Sequence, residues 1–170
     1  MAITITMEIV FFGTASMVPT KERNPSAILI SYGSEGILID CGEGTQRQMK
    51  IAGIKLTKIT KILISHWHGD HVLGLSGLLQ SLGASDYNKI LQVYGPKGTK
   101  KFFWALTKTF IFDRKIKLEI KEITKNKFFE NDDFLLEALP LEHGVPTLGF
   151  SFVEKDKRKI DLKKVKELGI

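Results

Sequence analysis

Cysteine is almost absent from this sequence of 170 residues, which contains only Cys41. This excludes an internal disulfide, and a structural zinc site built from several cysteines. No apolar run approaches the roughly 20 residues that a membrane-spanning helix requires. The first residues alternate apolar and polar side chains and lack the basic start and apolar core of a signal peptide, so we expect a first strand there. These absences predict a cytoplasmic protein with no membrane partner.

The charge balance is moderately basic, with a formal net charge of +6 and a sequence pI near 9.3. The length predicts a single domain over residues 1–170, and the composition, 43% hydrophobic and 26% charged, is ordinary for a globular chain. The basic surplus has two interpretations: a solvated lysine-rich surface, or a surface for a polyanion such as nucleic acid. Charge alone leaves both open.

Histidine is scarce, yet three of the four histidines fall within the segment His66-Trp67-His68-Gly69-Asp70-His71. An apolar run precedes this segment and another follows it, which predicts a strand, a loop and a helix. In an extended loop His66 and His68 point the same way and can bind one ion, whereas Asp70 and His71 diverge and suit a second. Two metals about 3.5–4 Å apart stabilise the attacking and the leaving oxygens of a displacement.

The fourth histidine, His143, is predicted to lie in a loop between two strands, where it could complete the ligands of the first ion. A lone loop histidine is otherwise a surface residue, and both interpretations stay open at this point. Imidazole and carboxylate are usual ligands of zinc in hydrolytic sites, so the pattern predicts a metal-dependent hydrolase. No nucleotide cofactor is expected.

Hydrophobic periodicity and turn residues predict alternating strands and helices. The predicted strands cover residues 3–12, 27–31, 36–40, 59–64, 89–94, 117–121, 134–139 and 148–153. The predicted helices cover residues 42–51, 71–82, 97–109 and 161–169, the last with Asp161 as its N-cap. Phe103, Trp104 and Leu106 are expected in the core. This order predicts an α/β (α+β) fold with helices outside two mixed sheets.

Several motifs resemble a known family. The segment from His66 to His71 matches the HxHxDH motif of the metallo-β-lactamase superfamily, whose fold is an αββα sandwich. The segments PTKERN (residues 19–24) and DCGEGTQRQ (residues 40–48), with Leu148-Gly149-Phe150 after His143, resemble ribonuclease Z. The chain resembles the N-terminal half of that enzyme, which removes the 3′ trailer from precursor tRNA and leaves a 3′-hydroxyl end.

The resemblance implies a role for each matching residue. His66, His68 and His143 would bind one zinc ion, and Asp70 and His71 a second, with Mn²⁺ as an alternative metal. Asp70 would also be the catalytic proton acceptor. Asp40 would orient a ligand histidine, unless it is only a capping aspartate. Lys21 and Arg23, with Arg47 as a weaker candidate, would contact phosphates of precursor tRNA, unless they are ordinary solvated side chains.

The sequence also departs from the family pattern. The resemblance implies a bridging aspartate and a further histidine towards the C-terminus. After His143 the chain has no histidine, and its only aspartates are Asp156 and Asp161. We therefore expect about half of the sandwich, weak or no activity of this chain alone, and an uncovered sheet face that favours a homodimer. The alternatives are another hydrolase of the superfamily or a non-catalytic metal-binding or RNA-binding remnant.

Overall fold

The computed structural model describes residues 6–109, 111, 115–156, 165 and 169. The strands in chain order are β1 (Met7–Gly13), β2 (Ala27–Tyr32), β3 (Glu35–Ile39), β4 (Lys61–Leu63), β5 (Ile90–Gly95), β6 (Lys117–Glu122), β7 (Lys127–Glu130), β8 (Phe134–Leu141) and β9 (Thr147–Glu154). The helices are α1 (Thr45–Ile51), α2 (Gly69–Val72), α3 (Leu75–Gly83) and α4 (Thr99–Lys108), and a 3₁₀ turn covers Leu56–Lys58. No helix in this part of the chain has the length and apolar character needed to cross a membrane.

Two sheets form the framework. The larger has the order β1-β2-β3-β4-β5-β6, antiparallel from β1 to β3 and parallel from β3 to β6. The smaller, β7-β8-β9, is antiparallel throughout. The prediction of mixed sheets is therefore correct for the first and wrong for the second, because short turns join β7, β8 and β9 and only antiparallel strands can be joined that way.

Alternating side chains of the six-stranded sheet separate two apolar layers. Leu29, Leu38, Ile62 and Val93 pack with the helices, whereas their neighbours on the same strands pack against the three-stranded sheet through Phe134 and other aromatic residues. Tyr32 adds a polar link between the sheets, since its hydroxyl donates to the Glu154 carboxylate at 2.6 Å. The layers are thus helices, sheet and sheet.

The outer face of the three-stranded sheet carries exposed apolar side chains. Leu139 and Leu141 are 57% and 55% exposed, and Val153 on the adjacent strand is also exposed. No helix of the described residues covers this face, so the chain forms about half of an αββα sandwich, as the resemblance implied.

Several element boundaries differ from the prediction. The helix expected at residues 71–82 is divided into α2 and α3 at Gly74, where a Cβ atom would lie 2.0 Å from the carbonyl oxygen of Gly42. Strand β7 is absent from the predicted set. Phe103 is fully buried as expected, but Trp104 is 38% exposed, so that core assignment is wrong. The predicted helix at residues 161–169, with Asp161, lies outside the described residues except for Val165 and Gly169.

Candidate metal centre

The candidate metal ligands lie beyond the carboxyl ends of neighbouring parallel strands. Strand β3 ends at Ile39 and is followed by Asp40, and β4 ends at Leu63 and is followed by the histidine loop, residues 65–71. Ile39 pairs with Leu63, and the Asp40 amide donates to the Leu63 carbonyl at 2.8 Å. The parallel register therefore places Asp40 beside the histidine loop.

Three histidines converge at this edge of the sheet. His66, His68 and His143 each present a ring nitrogen, and these three atoms lie within 4.8 Å of one another. The His66 side chain is buried, whereas His143 is exposed in the loop between β8 and β9. The centroid of the His66 ring lies 4.7 Å from that of His68 and 4.7 Å from that of His143. The site thus draws ligand atoms from both sheets.

The residue between the first two histidines points elsewhere. The Trp67 indole N–H donates to the Thr99 hydroxyl at 2.9 Å, and its ring lies 5.6 Å from the Phe102 ring, centroid to centroid. Trp67 also packs against the helical core. This alternation, with histidines to one side and an anchoring tryptophan to the other, is the geometry expected of an extended segment.

A second group of potential ligands lies beside the first. His71 Nε2 is 3.4 Å from the Asp70 carboxylate, so these side chains converge rather than diverge as predicted. They lie on the one-turn helix α2, whose geometry replaces the extended backbone assumed for the whole segment. The centroid of the His71 ring is 4.1 Å from that of His66, so the two groups are adjacent.

The Asp40 carboxylate accepts hydrogen bonds from Ser65 and from His71. One of its carboxylate oxygens accepts a hydrogen bond from the Ser65 amide at 2.7 Å, and the other accepts from the Ser65 hydroxyl at 2.8 Å and from His71 Nδ1 at 2.6 Å. Because a carboxylate can only accept, we assign a His71 proton to Nδ1, so that in the neutral imidazole Nε2 has the lone pair that a metal ligand needs.

The Asp40 backbone is itself unusual. Its φ of 57° is the only positive value at a non-glycine position among the described residues. Asp tolerates this left-handed conformation better than most residue types, but the conformation still costs free energy. Such strain at a site of converging ligands is typical of functional positions.

Ser65 connects the two sheets at the site, a role that the sequence analysis missed. Its hydroxyl lies 2.9 Å from His66 Nδ1, and its carbonyl accepts a hydrogen bond from the Leu148 amide of β9 at 2.9 Å. The second of these bonds joins the strand that follows His143 to the histidine loop. A small polar residue between an apolar strand and a histidine motif was the available signal.

The pKa values of His66 and His71 shift in opposite directions. Burial lowers the pKa of His66, and the nearby His71 lowers it further, so its imidazole is neutral near pH 7. Burial also acts to lower the pKa of His71, but the hydrogen bond and negative charge of Asp40 and the charge of Asp70 outweigh it and raise that pKa above its usual value. A nearby cation would favour the neutral imidazole that serves as a ligand.

Close backbone packing positions the ligand loop. The Cys41 amide donates to the His71 carbonyl at 2.8 Å, and the Gly74 amide donates to the Cys41 carbonyl at 2.9 Å. A Cβ atom at Gly42 would lie 2.6 Å from the Asp70 carbonyl oxygen. Gly42 and Gly74 are therefore required because the loop after β3 and the segment around helix α2 approach each other at backbone distance.

The two predicted phosphate-contacting residues lie outside this cluster. Lys21 and Arg23 are exposed on the loop between β1 and β2, and their side chains form no hydrogen bond or ion pair with another described residue. The loop is held by its neighbours: the Asn24 side-chain amide donates to the Glu43 carbonyl at 3.1 Å. The Gly42 amide also donates to the Ser26 carbonyl at 3.0 Å. The loop thus abuts the metal centre without contributing a ligand.

Comparison with known proteins places the chain in a family. The protein-family model described as "Anti-Pycsar protein Apyc1" matches residues 7–152. Ribonuclease Z of Pyrococcus furiosus is 39% identical over 165 residues, which are 96% of this chain and 54% of that protein. Ribonuclease Z of Methanococcus aeolicus is 40% identical over 167 residues, 96% of this chain and 52% of that protein. The chain therefore spans about half the length of these relatives.

A solved structure of a related enzyme also matches this chain. The crystal structure of human tRNase Z, short form, matches with a TM-score of 0.77 and 30% identity over 88% of this chain and 65% of the human chain. The resemblance to the N-terminal half of ribonuclease Z is confirmed. By the extent of its match, this chain belongs to the family described as Anti-Pycsar protein Apyc1, with relatives that are ribonuclease Z enzymes.

Proposed function

We propose that this chain provides the zinc-binding part of an endoribonuclease that removes the 3′ trailer from precursor tRNA and leaves a 3′-hydroxyl end. The observation that carries the proposal is the convergence of His66, His68 and His143 from two different sheets. The identity of about 40% to ribonuclease Z over nearly the whole chain supports RNA as the substrate class.

The donor set fits zinc. Three imidazole nitrogens within 4.8 Å of one another match the ligands of a catalytic zinc site, and Asp70 with His71 offers a carboxylate and an imidazole for a second ion. Mn²⁺ is the alternative metal for the same donors. When bound, the ions would supply Lewis acidity and lower the pKa of water towards about 7.

The chain's own residues position and transfer protons. Asp40 holds the proton of His71 at Nδ1, so that Nε2 stays a ligand. The Asp70 carboxylate is the proposed acceptor for the proton of the attacking water. Lys21 and Arg23, which are exposed on the loop between β1 and β2, are proposed to contact phosphates of the tRNA.

Two further expectations remain proposals. The exposed Leu139 and Leu141 on the outer face of the three-stranded sheet support a homodimer, because contiguous apolar surface favours association. Analytical ultracentrifugation tests this, and a monomer at all concentrations contradicts it. The single free thiol of Cys41 is buried, which fits a reducing compartment such as the cytoplasm.

Cleavage of precursor tRNA tests the activity. In excess zinc, we expect the 170-residue chain to show less than about 10% of the specific activity of Pyrococcus furiosus ribonuclease Z, because no carboxylate of the described residues joins the histidine cluster as a bridging ligand. A chimera that joins this chain to the second half of that enzyme should cleave at the 3′ trailer and leave a hydroxyl end. Asp70→Asn in the chimera should abolish cleavage.

Each outcome that would contradict these expectations has a different interpretation. Near-full activity of the chain alone would contradict the incomplete site. A chimera that binds zinc and hydrolyses a small phosphodiester or the β-lactam nitrocefin, but leaves precursor tRNA intact, would favour another hydrolase of the superfamily. A chimera that binds zinc and cleaves none of these substrates would favour a non-catalytic protein.

A further inference from the structure

A basic groove crosses the helical layer of the molecule. A cleft of about 780 Å³ lies between α1, the 3₁₀ turn and the C-terminal end of α3. A neighbouring cleft of about 420 Å³ shares Gly53, Ile54, Lys55 and Thr57 with the first, so the two are continuous. We call this surface the basic groove.

Its charge is all of one sign. Five cationic side chains line the two clefts, namely Arg47, Lys50, Lys55, Lys58 and Lys89. No aspartate or glutamate occurs among the described residues that line them. A concave surface with charges of one sign concentrates its field and attracts ligands of the opposite charge.

These cations are largely uncompensated. The side chains of Arg47, Lys50 and Lys55 make no hydrogen bond or ion pair with another described residue. Lys58 lies 3.6 Å from the Glu8 carboxylate, but both side chains are exposed, and such pairs contribute little. Lys89 donates only to the neutral Thr57 carbonyl at 3.2 Å. The groove therefore has charge available for an anionic ligand.

Hydrogen bonds connect the helices of the groove wall, which also has neutral polar groups. The Ser81 hydroxyl donates to the side-chain carbonyl of Gln46, which joins α3 to α1. The Ser85 hydroxyl donates to the Ser81 carbonyl at 2.7 Å. Ile54 and Leu56 pack against the helical core and form an apolar floor. Hydroxyl and amide groups beside free cations are typical of surfaces that contact phosphate.

Chain connectivity relates the basic groove to the metal centre. Arg47 lies in the first turn of α1, shortly after Cys41, whose amide contacts the histidine loop. Lys58 precedes β4, whereas His66 follows it, so these residues lie at opposite ends of that strand. Eight residues of extended chain span at most roughly 26 Å. A chain-like anion lying in the groove would lead away from the metal centre.

We propose that the basic groove binds the phosphate backbone of RNA, which here means a part of the substrate outside the cleavage site and so rests on the proposed function. The cations are spread along two clefts rather than converging on one point, which fits a series of phosphates better than a single small anion. Binding of this kind is independent of base sequence and weakens as salt rises.

The test measures RNA binding apart from cleavage. A fluorescein-labelled RNA hairpin with a single-stranded 3′ tail is titrated with the chain in EDTA, and fluorescence anisotropy is followed at several salt concentrations. Lys50→Gln/Lys55→Gln is compared with Lys117→Gln/Lys125→Gln, which removes the same charge from exposed positions elsewhere. Equal thermal midpoints of all three proteins establish that the variants fold.

We expect the groove variant to bind about tenfold more weakly at moderate salt, with a slope of log K against log[salt] reduced by about 2. The control should lose much less. Equal losses in the two variants would overturn the proposal, because net charge alone would then explain binding. Tight one-to-one binding of tripolyphosphate that the groove variant loses, without an effect on RNA, would also overturn it in favour of a small-anion site.

Failure of the proposed function is recognised separately. A chain whose groove variant loses RNA affinity, but whose chimera never cleaves precursor tRNA, retains the RNA-binding groove without the proposed activity. A chimera that cleaves, combined with a groove variant that binds like the control, overturns the groove alone.

Discussion

The two sheets contribute to the metal centre in different ways. The six-stranded sheet provides Asp40 and the histidine loop, which are buried or half-buried and are joined to neighbouring backbone by several hydrogen bonds. The three-stranded sheet provides His143 from an exposed hairpin loop, and the bond from the Leu148 amide to the Ser65 carbonyl ties that hairpin to the site.

This difference suggests that the two sheets contribute unequally to metal affinity. Ligands on the first sheet are held in place before a metal binds, because hydrogen bonds behind a ligand fix its orientation. His143 depends on the packing of the second sheet, and ordering an exposed side chain on binding costs conformational entropy. The ligands of the first sheet should therefore determine most of the metal affinity, and His143 of the second sheet should contribute a smaller part.

Removal of single ligands gives the largest expected effect. We expect His66→Ala to weaken zinc binding by more than about 100-fold, since it removes a positioned ligand, and His143→Ala to weaken it only about tenfold. Isothermal titration calorimetry measures both affinities, with the metal-free circular dichroism spectrum as the check on folding. Equal losses would show that the two sheets hold their ligands equally firmly.

Removal of the carboxylate behind His71 should have the next largest effect. Asp40→Asn retains a residue type that tolerates positive φ but removes the charged acceptor, so we expect binding of the second zinc ion to weaken about 10–100-fold. The affinity of the histidine group His66, His68 and His143 should change much less. Zinc stoichiometry after titration checks this, and an unchanged second site would mean that Asp40 supports only the loop backbone.

The position of His66 relative to His68 could be predicted from the sequence because it depends on local geometry, whereas the approach of His143 could not, because it comes from the other sheet. Alternation along an extended segment places His66 and His68 on one side and Trp67 on the other, whatever the rest of the fold does. The prediction that the Asp70 and His71 side chains diverge was wrong because helix α2 interrupts the extended segment. The contacts of Asp40 depend on the parallel pairing of β3 and β4, which no short pattern reveals.

The missed elements of the fold have similar causes. Strand β7 is short and contains a register shift between Lys127 and Phe129, so its two adjacent phenylalanines show no alternation. Trp104 lies next to Phe103 on α4, and a helix of this kind buries positions at spacings of three and four residues. Phe103 occupies the buried stripe and Trp104 its margin, a difference that composition alone does not indicate.

Substitution of one glycine beside the ligands of each sheet compares how tightly the two parts of the site are packed. Gly42→Ala would place a Cβ atom 2.6 Å from the Asp70 carbonyl, and we expect it to lower the free energy of unfolding by about 3 kcal/mol. Gly144, beside His143, has a φ of 73° and no atom near its Cβ position, so Gly144→Ala should cost only about 1 kcal/mol of backbone strain. Urea unfolding measures both values, and similar losses would contradict the tighter packing of the first region.

The smallest expected effect concerns the ion pairs that Glu130 of the three-stranded sheet forms with Lys127 and Lys155. Hydrogen bonds from Lys127 and Lys155 lower the pKa of Glu130 from 4.5 to about 2. Because the folded-state pKa is depressed, this contribution to stability is fully present above pH 4.5 and is lost as the pH falls through about 2. The difference in thermal midpoint between the native chain and Glu130→Gln should therefore shrink across that range, and a difference that stays constant would contradict it. Glu142→Gln, on the exposed hairpin beside His143, serves as the control for removal of a surface carboxylate.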